Sequence, residues 1–144
     1  MRDFYQGKRV FVTGHTGFKG SWLCRWLTKM GAHVAGYSAY LPSSPSHFEA
    51  LHLRDTLEHI EGDVRDFEAL KASLDRFAPD IVFHLAAQPI VNVAYQNPRE
   101  NFETNVMGMV NLLHALRDVP SAHAGILITS DKAYENVEWE FGYR

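Results

Sequence analysis

Apolar positions recur along this chain with two different periods. Short apolar runs bounded by glycine, proline or aspartate are typical of buried strands, and longer segments with apolar residues three or four positions apart are typical of helices. Five runs predict strands, and they lie from Val10 to the glycines that follow it and at 33–39, 57–64, 81–87 and 125–129. Helical segments separate the runs, so the pattern predicts an α/β fold with a parallel sheet.

Apolar side chains define one face of each longer helix, and we expect those faces to pack on the sheet. The first helix follows the glycines and ends at Gly31, and a short helix is predicted at 47–53. Asp66 is placed to cap the next helix. The predicted apolar faces are Phe18, Trp22, Leu23, Trp26, Leu27 and Met30, then Phe67, Leu70, Leu74 and Phe77, and finally Phe102, Val106, Val110, Leu113 and Leu116.

Parallel strands joined by right-handed crossovers in this sequence give the spatial order 3-2-1-4-5. This is a Rossmann-type doubly wound sheet, which we expect to be truncated before its last strands. The chain reverses direction between strands one and four. A ligand is therefore expected in the crevice outside the carboxyl ends of those two strands.

Three glycines, at positions 14, 17 and 20, follow the first strand directly. Gly14 and Gly17 let the backbone turn sharply and approach a ligand, and Gly20 lets the next helix pack closely on the strand. The helix N-terminus offers unpaired N–H groups and a positive dipole end to a pyrophosphate. The Gly-x-x-Gly-x-x-Gly spacing differs from the standard fingerprint, and a structural turn would also use it. The preceding strand and the following helix favour dinucleotide binding.

Residues after strands two and three are candidates to contact the cofactor. No acidic residue follows strand two to hold the ribose of NAD, and Ser38 is the polar group there. No arginine adjoins this strand end to receive a 2′-phosphate, which favours NAD over NADP weakly. After strand three, Asp63 is a candidate to accept a hydrogen bond from the adenine amino group, while Asp66 serves as the helix cap.

Strands four and five end in small and reactive residues. The alanines at 86–87 leave room for a flat cofactor, although alanines also pack under helices, and we expect a structural role for His84. Ser130, Asp131 and Lys132 present a hydroxyl, a carboxylate and an ammonium in succession. A solvated loop would have the same residues, but their position at the crevice favours chemistry.

Composition excludes several classes of protein. The 144 residues, 46% of them hydrophobic, suffice for one compact domain. A net charge of −3 gives no basic surface for nucleic acid. No apolar run reaches the roughly 18 residues of a membrane span. Cys24, the one cysteine, is interpreted as a packing residue, which together with a polar N-terminus predicts a cytoplasmic, reduced protein. No metal site is expected.

Four stretches of the chain resemble the extended short-chain dehydrogenase/reductase family, and within it the nucleotide-sugar dehydratases. They are the glycine segment with the residues after it at 14–23, Gly-Tyr-Ser at 36–38 with 45–49, His-Leu-Ala-Ala-Gln-Pro at 84–89, and the segment at 129–136. The first and third are shared across the family, and the others are narrower. Asp131-Lys132 is similar to the members that act on CDP-glucose, where dTDP-glucose enzymes carry Asp-Glu and GDP-mannose dehydratases carry Ser-Glu. The resemblance covers the whole chain but only the cofactor half of the family's enzyme.

The resemblance implies a lyase that converts CDP-glucose to CDP-4-keto-6-deoxyglucose plus water, with NAD as a recycled hydride carrier. Ser130 would bond the sugar 4-hydroxyl, Asp131 would protonate the departing 6-hydroxyl, and Lys132 would assist proton removal at carbon 5. A homo-oligomer and a role in deoxysugar and cell-surface polysaccharide synthesis are also implied. The implied cofactor-binding residues are Gly14, Thr16, Gly17, Phe18, Lys19, Gly20, Ser38, Asp63, Val64, Leu85, Ala86, Ala87, Gln88, Asn105 and Thr129.

The family's catalytic Tyr-x-x-x-Lys pair does not occur in these 144 residues, because no tyrosine has a lysine four positions later. We therefore expect residues 1–144 to be an incomplete NAD-binding domain without the C-terminal substrate-binding part, and to be inactive as an isolated polypeptide. The alternatives are a nucleotide-sugar epimerase or another dehydratase of the family, and a non-catalytic dinucleotide-binding module. A methyltransferase is a third alternative that the glycine spacing disfavours.

Overall fold

The computed structural model describes residues 2–130 and 134–143. In this part of the chain, parallel strands form one sheet with the order β3-β2-β1-β4-β5, which confirms the predicted topology. The strands are β1 (Arg9–Thr13), β2 (His33–Ser38), β3 (Glu58–Glu61), β4 (Ile81–His84) and β5 (Ala124–Leu127).

Helices connect the strands on both faces of the sheet. They are α1 (Arg2–Tyr5), α2 (Phe18–Lys29), α3 (His47–Ala50), α4 (Phe67–Phe77), α5 (Val91–Gln96), α6 (Pro98–Phe102) and α7 (Gly108–Leu116), with a 3₁₀ turn at Leu53–Asp55 and a π-helical turn at Glu103–Met107. Asp66 caps α4 as predicted, because its Oδ1 accepts a hydrogen bond from Ala69 N–H at 3.1 Å. Gly31 follows α2 with φ 82°, the left-handed conformation expected after a helix end.

The third, fourth and fifth strands end earlier than the apolar pattern predicts. Beyond His84 the ladder with β1 stops, although Leu85 N–H still donates to Thr13 O at 3.1 Å. Likewise Gly62 N–H donates to Ser38 O at 3.0 Å just after β3 ends. The apolar residues that follow these three strands therefore lie outside the sheet and border the crevice.

Two separate clusters of apolar side chains cover the sheet. On one face, α4 and α7 pack on Phe11, Tyr37 and Val82. On the other face, α2 and α3 pack on Val10 and Val12. Complete burial of such a side chain contributes ~1.5–3 kcal/mol to the stability of the fold. The two clusters cover the faces of the sheet, and the carboxyl ends of the strands remain available for a site.

The predicted packing face of α2 is wrong at three of its six positions, while Leu23, Leu27 and Met30 pack on the core as predicted. Leu27 is fully buried, but Phe18, Trp22 and Trp26 are 68%, 47% and 65% exposed. Small side chains face the sheet beside Leu27, namely those of Gly20, Ser21 and Cys24. Small residues let the helix approach the sheet closely, and the bulky aromatic side chains are consequently turned outward. The interpretation of Cys24 as a packing residue is confirmed, since it is fully buried.

The packing face predicted across 102–116 is wrong at four of its five positions, while Leu116 packs on the core as predicted. Its large side chains are exposed at Phe102, Val106, Val110 and Leu113, and the sheet is met by Gly108, Leu112 and Ala115. Gly108 and Ala115 are small, like the residues of α2 that face the sheet, so the helix approaches the sheet closely and its bulkier side chains are turned outward.

The sheet is open at β5. Ala124 and Gly125 are exposed, and Ile126 and Leu127 are half-buried. Strand β5 is therefore an exposed edge strand of the sheet. Among the residues described, no helix is both long and apolar enough to cross a bilayer.

Candidate functional site

A crevice lies where β1 and β4 end beside each other. The pairing of Thr13 with His84 places the two strand ends at the same level. Gly14 turns with φ 72°, and its N–H donates to Tyr37 O at 2.8 Å. A Cβ at this position would lie 2.6 Å from Ala86 N, so glycine alone lets the turn approach β4 this closely.

The helix that follows this turn begins without a cap of its own. Gly17, the N-cap residue of α2, provides no side-chain acceptor, and the first turn contains no acidic residue. Gly20 holds the helix against the turn, since a Cβ there would lie 2.2 Å from Gly14 O. The dipole of α2 is therefore not compensated by the chain itself, which is the arrangement that binds phosphate groups. Phe18 and Lys19 are exposed in the same first turn.

His15 lies inside the glycine turn and connects it to the end of β2 and to β3. Its Nδ1 is 2.9 Å from Ser38 Oγ, and its Nε2 is 2.7 Å from His59 Nδ1. Burial, followed by the charge of His59, lowers the pKa of His15 to about 4, so the ring is neutral at physiological pH. The role of His15 was not predicted, and its place between two motif glycines is the signal in the sequence that could have indicated it.

Ser38, predicted to lie beside the ribose, is buried and hydrogen-bonded to the glycine turn. Besides its contact with His15, Ser38 Oγ accepts a hydrogen bond from Thr16 N–H at 3.4 Å. The Thr16 hydroxyl in turn donates to Tyr40 O at 2.7 Å. The structure thus brings together Thr16 and Ser38, which are both predicted cofactor-binding residues, while the contact of Ser38 with a ribose stays a prediction.

Thr13, the last residue of β1, organises the backbone at the end of β4. Its Oγ1 accepts hydrogen bonds from Leu85 N–H and Ala86 N–H, both at 3.2 Å, and lies 2.7 Å from His84 Nδ1. His84 is buried, and burial lowers its pKa to about 4, in agreement with a structural role. Sequence reasoning missed Thr13, although a hydroxyl at the end of an apolar strand is a visible signal.

Replacing this hydroxyl by a methyl group tests its role. Thr13→Val keeps the shape of the side chain but leaves Ala86 N–H and His84 Nδ1 without their buried partner. We expect the free energy of unfolding in urea to fall by ~2–3 kcal/mol, and Thr13→Ser to recover most of that loss. Thr28→Val, which removes a hydroxyl that donates to Arg25 O in its own helix, is the matched control. If Thr13→Val and Thr28→Val lowered the free energy of unfolding equally, the proposed role of the Thr13 hydroxyl would be contradicted.

Gln88 and Asn105, both predicted cofactor-site residues, are joined by two hydrogen bonds. Asn105 Oδ1 accepts a hydrogen bond from Gln88 N–H at 2.7 Å, and Asn105 Nδ2 donates to Gln88 O at 3.1 Å. The same amide donates to Asn101 Oδ1 at 2.9 Å. The pair fixes the segment after β4, in which Leu85 and Ala86 are half-buried, to the π-helical turn at Glu103–Met107.

We expect Asn105→Ala to lower the free energy of unfolding by ~1–3 kcal/mol, because Gln88 loses partners for both of its backbone groups. Nucleotide affinity should fall with it, since this segment borders the crevice. Asn92→Ala, at an exposed position on α5, is the control and should leave both quantities unchanged. Unfolding curves and calorimetric titration of the two variants provide the comparison.

Beyond β3, Asp63 is bound by its neighbour Arg65. Asp63 Oδ2 lies 2.6 Å from Arg65 Nη2, and this hydrogen-bonded pair lowers the pKa of the carboxyl group. Val64 is buried in the core, so only its backbone is available to a ligand. Asn111 Nδ2 donates to Val64 O at 3.0 Å and to Arg65 O at 3.1 Å, and these two hydrogen bonds were not predicted from the sequence.

The candidate catalytic residues follow β5. Ile128 N–H donates to His84 O at 3.1 Å, so the chain leaves the sheet at the level where β4 ends. Thr129 and Ser130 are exposed there. Asp131 and Lys132 lie outside the described residues, and their roles stay predictions.

Comparison with known proteins agrees with this architecture. The strand order and glycine turn define a Rossmann-type α/β fold, and the family model for GDP-mannose 4,6 dehydratase matches residues 11–139. The chain belongs to this family. It is 56% identical over 143 residues to CDP-glucose 4,6-dehydratase of Salmonella typhimurium, covering 99% of the chain and 40% of that relative. The chain thus spans about two fifths of the length of this curated relative.

Solved structures of epimerases have the same fold. Epimerase Mth375 from Methanothermobacter thermautotrophicus superposes with a TM-score of 0.82 at 28% identity, over 99% of this chain and 41% of that one. UDP-glucose-4-epimerase from Stenotrophomonas maltophila, solved with bound NAD and formylated UDP-arabinopyranose, gives 0.79 at 26% identity, over 92% and 40% respectively.

Proposed function

We propose that these residues form the cofactor-binding part of an NAD-dependent nucleotide-sugar 4,6-dehydratase that acts on CDP-glucose. The observation that carries the proposal is the close approach of Gly14 to the backbone at Ala86 beside the uncapped N-terminus of α2. This geometry suits a dinucleotide at the switch point of the sheet. The 56% identity to a CDP-glucose 4,6-dehydratase supports the choice of reaction and substrate.

The residues present fit NAD. A pyrophosphate would meet the first turn of α2, where Gly17 supplies no competing acceptor and Lys19 supplies a positive charge. Asp63, kept ionised by Arg65, would accept a hydrogen bond from the adenine amino group. The exposed Ala87 would leave room beside β4 for the nicotinamide half. When bound, NAD supplies a reversible hydride acceptor, as it would in the family's reaction.

The residues after β5 would supply the proton transfers. Ser130 bonds the sugar 4-hydroxyl, Asp131 protonates the departing 6-hydroxyl, and Lys132 assists removal of the proton at carbon 5. The elimination requires an acid within hydrogen-bond reach of the leaving oxygen and a base beside the acidic carbon. The assignment rests on the resemblance of the Ser-Asp-Lys run to dehydratases that act on CDP-glucose.

A nucleotide-sugar epimerase is the second candidate, because the epimerase from Stenotrophomonas maltophila has the same fold at a TM-score of 0.79. An epimerase needs no acid for a departing hydroxyl group, so the Ser130-Asp131-Lys132 run favours the dehydratase. A non-catalytic dinucleotide-binding module would bind NAD equally well and would fail to release any product.

A chimaeric enzyme tests the reaction. Residues 1–144 replace the matching segment of the Salmonella typhimurium dehydratase, and the products formed from CDP-glucose are followed by proton NMR. We expect the methyl signal of a 6-deoxy sugar, which glucose lacks, and no such signal from the 144-residue chain alone. An inverted sugar without a methyl group would establish an epimerase. A chimaera that binds NAD but forms no product would support the non-catalytic module.

The proposal also covers the compartment, the pathway and the oligomeric state of the enzyme. We infer a cytoplasmic enzyme of deoxysugar and cell-surface lipopolysaccharide synthesis that works as a homo-oligomer. The buried, unpaired thiol of Cys24 supports a reducing compartment.

A further inference from the structure

A chain of three polar side chains runs from the third strand to the end of the second. His59 Nδ1 lies 2.7 Å from His15 Nε2, and His15 Nδ1 lies 2.9 Å from Ser38 Oγ. Ser38 is the last residue of β2 and is 8% exposed. In a dinucleotide-binding fold of this kind, the adenosine ribose is bound at this strand end. His59 is therefore connected to the expected ribose position by two hydrogen bonds in series.

Packing holds the two imidazole rings in place. Gly36 leaves the space that the His15 ring fills, since a Cβ on this residue would lie 2.2 Å from His15 Cγ. The buried ring of Phe48 contacts both imidazoles, with its centroid 5.2 Å from that of His15 and 5.1 Å from that of His59. Close packing restricts rotation of the rings, so their nitrogen atoms keep their positions relative to Ser38.

The surroundings of the two rings keep both of them neutral. Burial lowers the pKa of His15 and of His59, and the positive charge of Arg54 adds to the effect on each ring. The carboxylate of Glu61 raises the pKa of His59 by a smaller amount. At physiological pH the pair therefore supplies hydrogen bonds but no positive charge, which suits a neutral sugar hydroxyl group better than a phosphate group.

One proton lies between the two rings, because two neutral imidazole nitrogens 2.7 Å apart need one donor and one acceptor. If His15 provides this proton, its Nδ1 carries none and accepts a hydrogen bond from the Ser38 hydroxyl group. If His59 provides it, His15 Nδ1–H donates to Ser38 Oγ, and the Ser38 proton is available to a ligand. In both cases His59 determines the direction in which the Ser38 hydroxyl group donates.

We propose that His59 is a positioning residue for the adenosine ribose of NAD: through His15 it orients the Ser38 hydroxyl group relative to the ribose 2′-hydroxyl group. The inference rests on the proposed function, because it requires NAD to bind at the carboxyl ends of the strands. A 2′-hydroxyl group both donates and accepts, so it complements either direction of the Ser38 hydroxyl group. Without the nitrogen of His59, His15 can carry its proton on either nitrogen, and Ser38 is no longer held in one direction.

Two forms of the cofactor separate this role from a general effect on the fold. The probes are NAD and 2′-deoxy-NAD, whose adenosine ribose lacks the 2′-hydroxyl group, and each is titrated calorimetrically into the unmodified chain and its variants. His59→Phe keeps an aromatic ring against Phe48 but removes the nitrogen that contacts His15. We expect this variant to raise the dissociation constant for NAD about threefold to tenfold, the effect of one neutral hydrogen bond, and to leave that for 2′-deoxy-NAD unchanged.

Three further variants define the path of the effect. His59→Asn should recover most of the affinity for NAD, because an asparagine amide reaches the position of the histidine Nδ1. Ser38→Ala should cause the same loss as His59→Phe, and the combined variant should lose little more, since both act through one hydroxyl group. His33→Phe makes the same exchange at the other end of β2, where the side chain is exposed, and should bind both cofactors like the unmodified chain.

A measurement on the unmodified chain needs no variant. In nitrogen NMR spectra, the ring nitrogens of His15 and His59 should shift when NAD is added and shift less with 2′-deoxy-NAD. Equal shifts with the two cofactors would overturn the proposal. So would a His59→Phe chain, folded by circular dichroism, that binds NAD normally or loses affinity for both cofactors equally. A folded unmodified chain that binds neither cofactor would refute the proposed function itself and this inference with it.

Discussion

Gly14→Ala is expected to abolish measurable NAD binding and to destabilise the fold. The new Cβ would lie 2.6 Å from Ala86 N and 2.8 Å from Leu85 O, both backbone atoms of the neighbouring segment. The φ of 72° at this position adds strain for any side chain. Relief requires the turn to move away from β4, which also displaces the N-terminus of α2. We expect NAD affinity to fall at least ~100-fold and the free energy of unfolding to fall by ~2–5 kcal/mol.

Calorimetric titration and urea denaturation measure the two effects of Gly14→Ala. Gly125→Ala is the matched control, since a Cβ there would lie 3.7 Å from Leu116 Cδ1, an ordinary contact. The control should bind NAD like the unmodified chain. A folded Gly14→Ala chain with unchanged affinity would show that the ligand does not use this turn.

Acid is expected to destabilise the protein through two buried histidines. Burial lowers the pKa of His15 and of His84 from 6.5 to about 4. The unfolded chain therefore takes up protons first as the pH falls, so the stabilisation is complete above the unfolded pKa of 6.5 and is lost as the pH approaches 4. As the pH falls from about 7.5 to about 5, each histidine should lower the free energy of unfolding by about 2 kcal/mol.

Urea denaturation across that pH range measures the slope. His84→Gln should reduce the dependence of the free energy of unfolding on pH by the contribution of one histidine. The carboxylates contribute equally to both chains, so their effect cancels when the variant is compared with the unmodified chain. NMR titration of the folded chain is a second measurement that does not depend on a variant. Rings of His15 and His84 that become protonated near their unfolded pKa would contradict the account.

The strand order was predictable because it depends on features that the sequence carries locally. Apolar runs, crossovers and the reversal between β1 and β4 follow from the alternation of strands and helices. The packing faces of α2 and α7 were not predictable in the same way. The apolar pattern selects Trp22 rather than Gly20 for the packing face, yet the sheet is contacted by small residues on both helices, among them Gly20 on α2 and Gly108 on α7.

The site residues, too, were predictable only in part. Gly14 and Gly20 were identified because the glycines lie at a regular spacing between a predicted strand and a predicted helix. The hydrogen bonds of Thr13 and His15 were missed because their partners, Ala86 and His59, are distant in the sequence. Only the folded backbone brings these groups together, so spacing along the chain carries no information about them.

Titration of the unmodified 144-residue chain with NAD in a calorimeter tests the central claim most directly. NADP and S-adenosylmethionine serve as comparison ligands under the same conditions. The account predicts one NAD bound per chain, weaker binding of NADP, and no binding of S-adenosylmethionine. A folded chain that takes up no NAD, or that prefers S-adenosylmethionine, would contradict it.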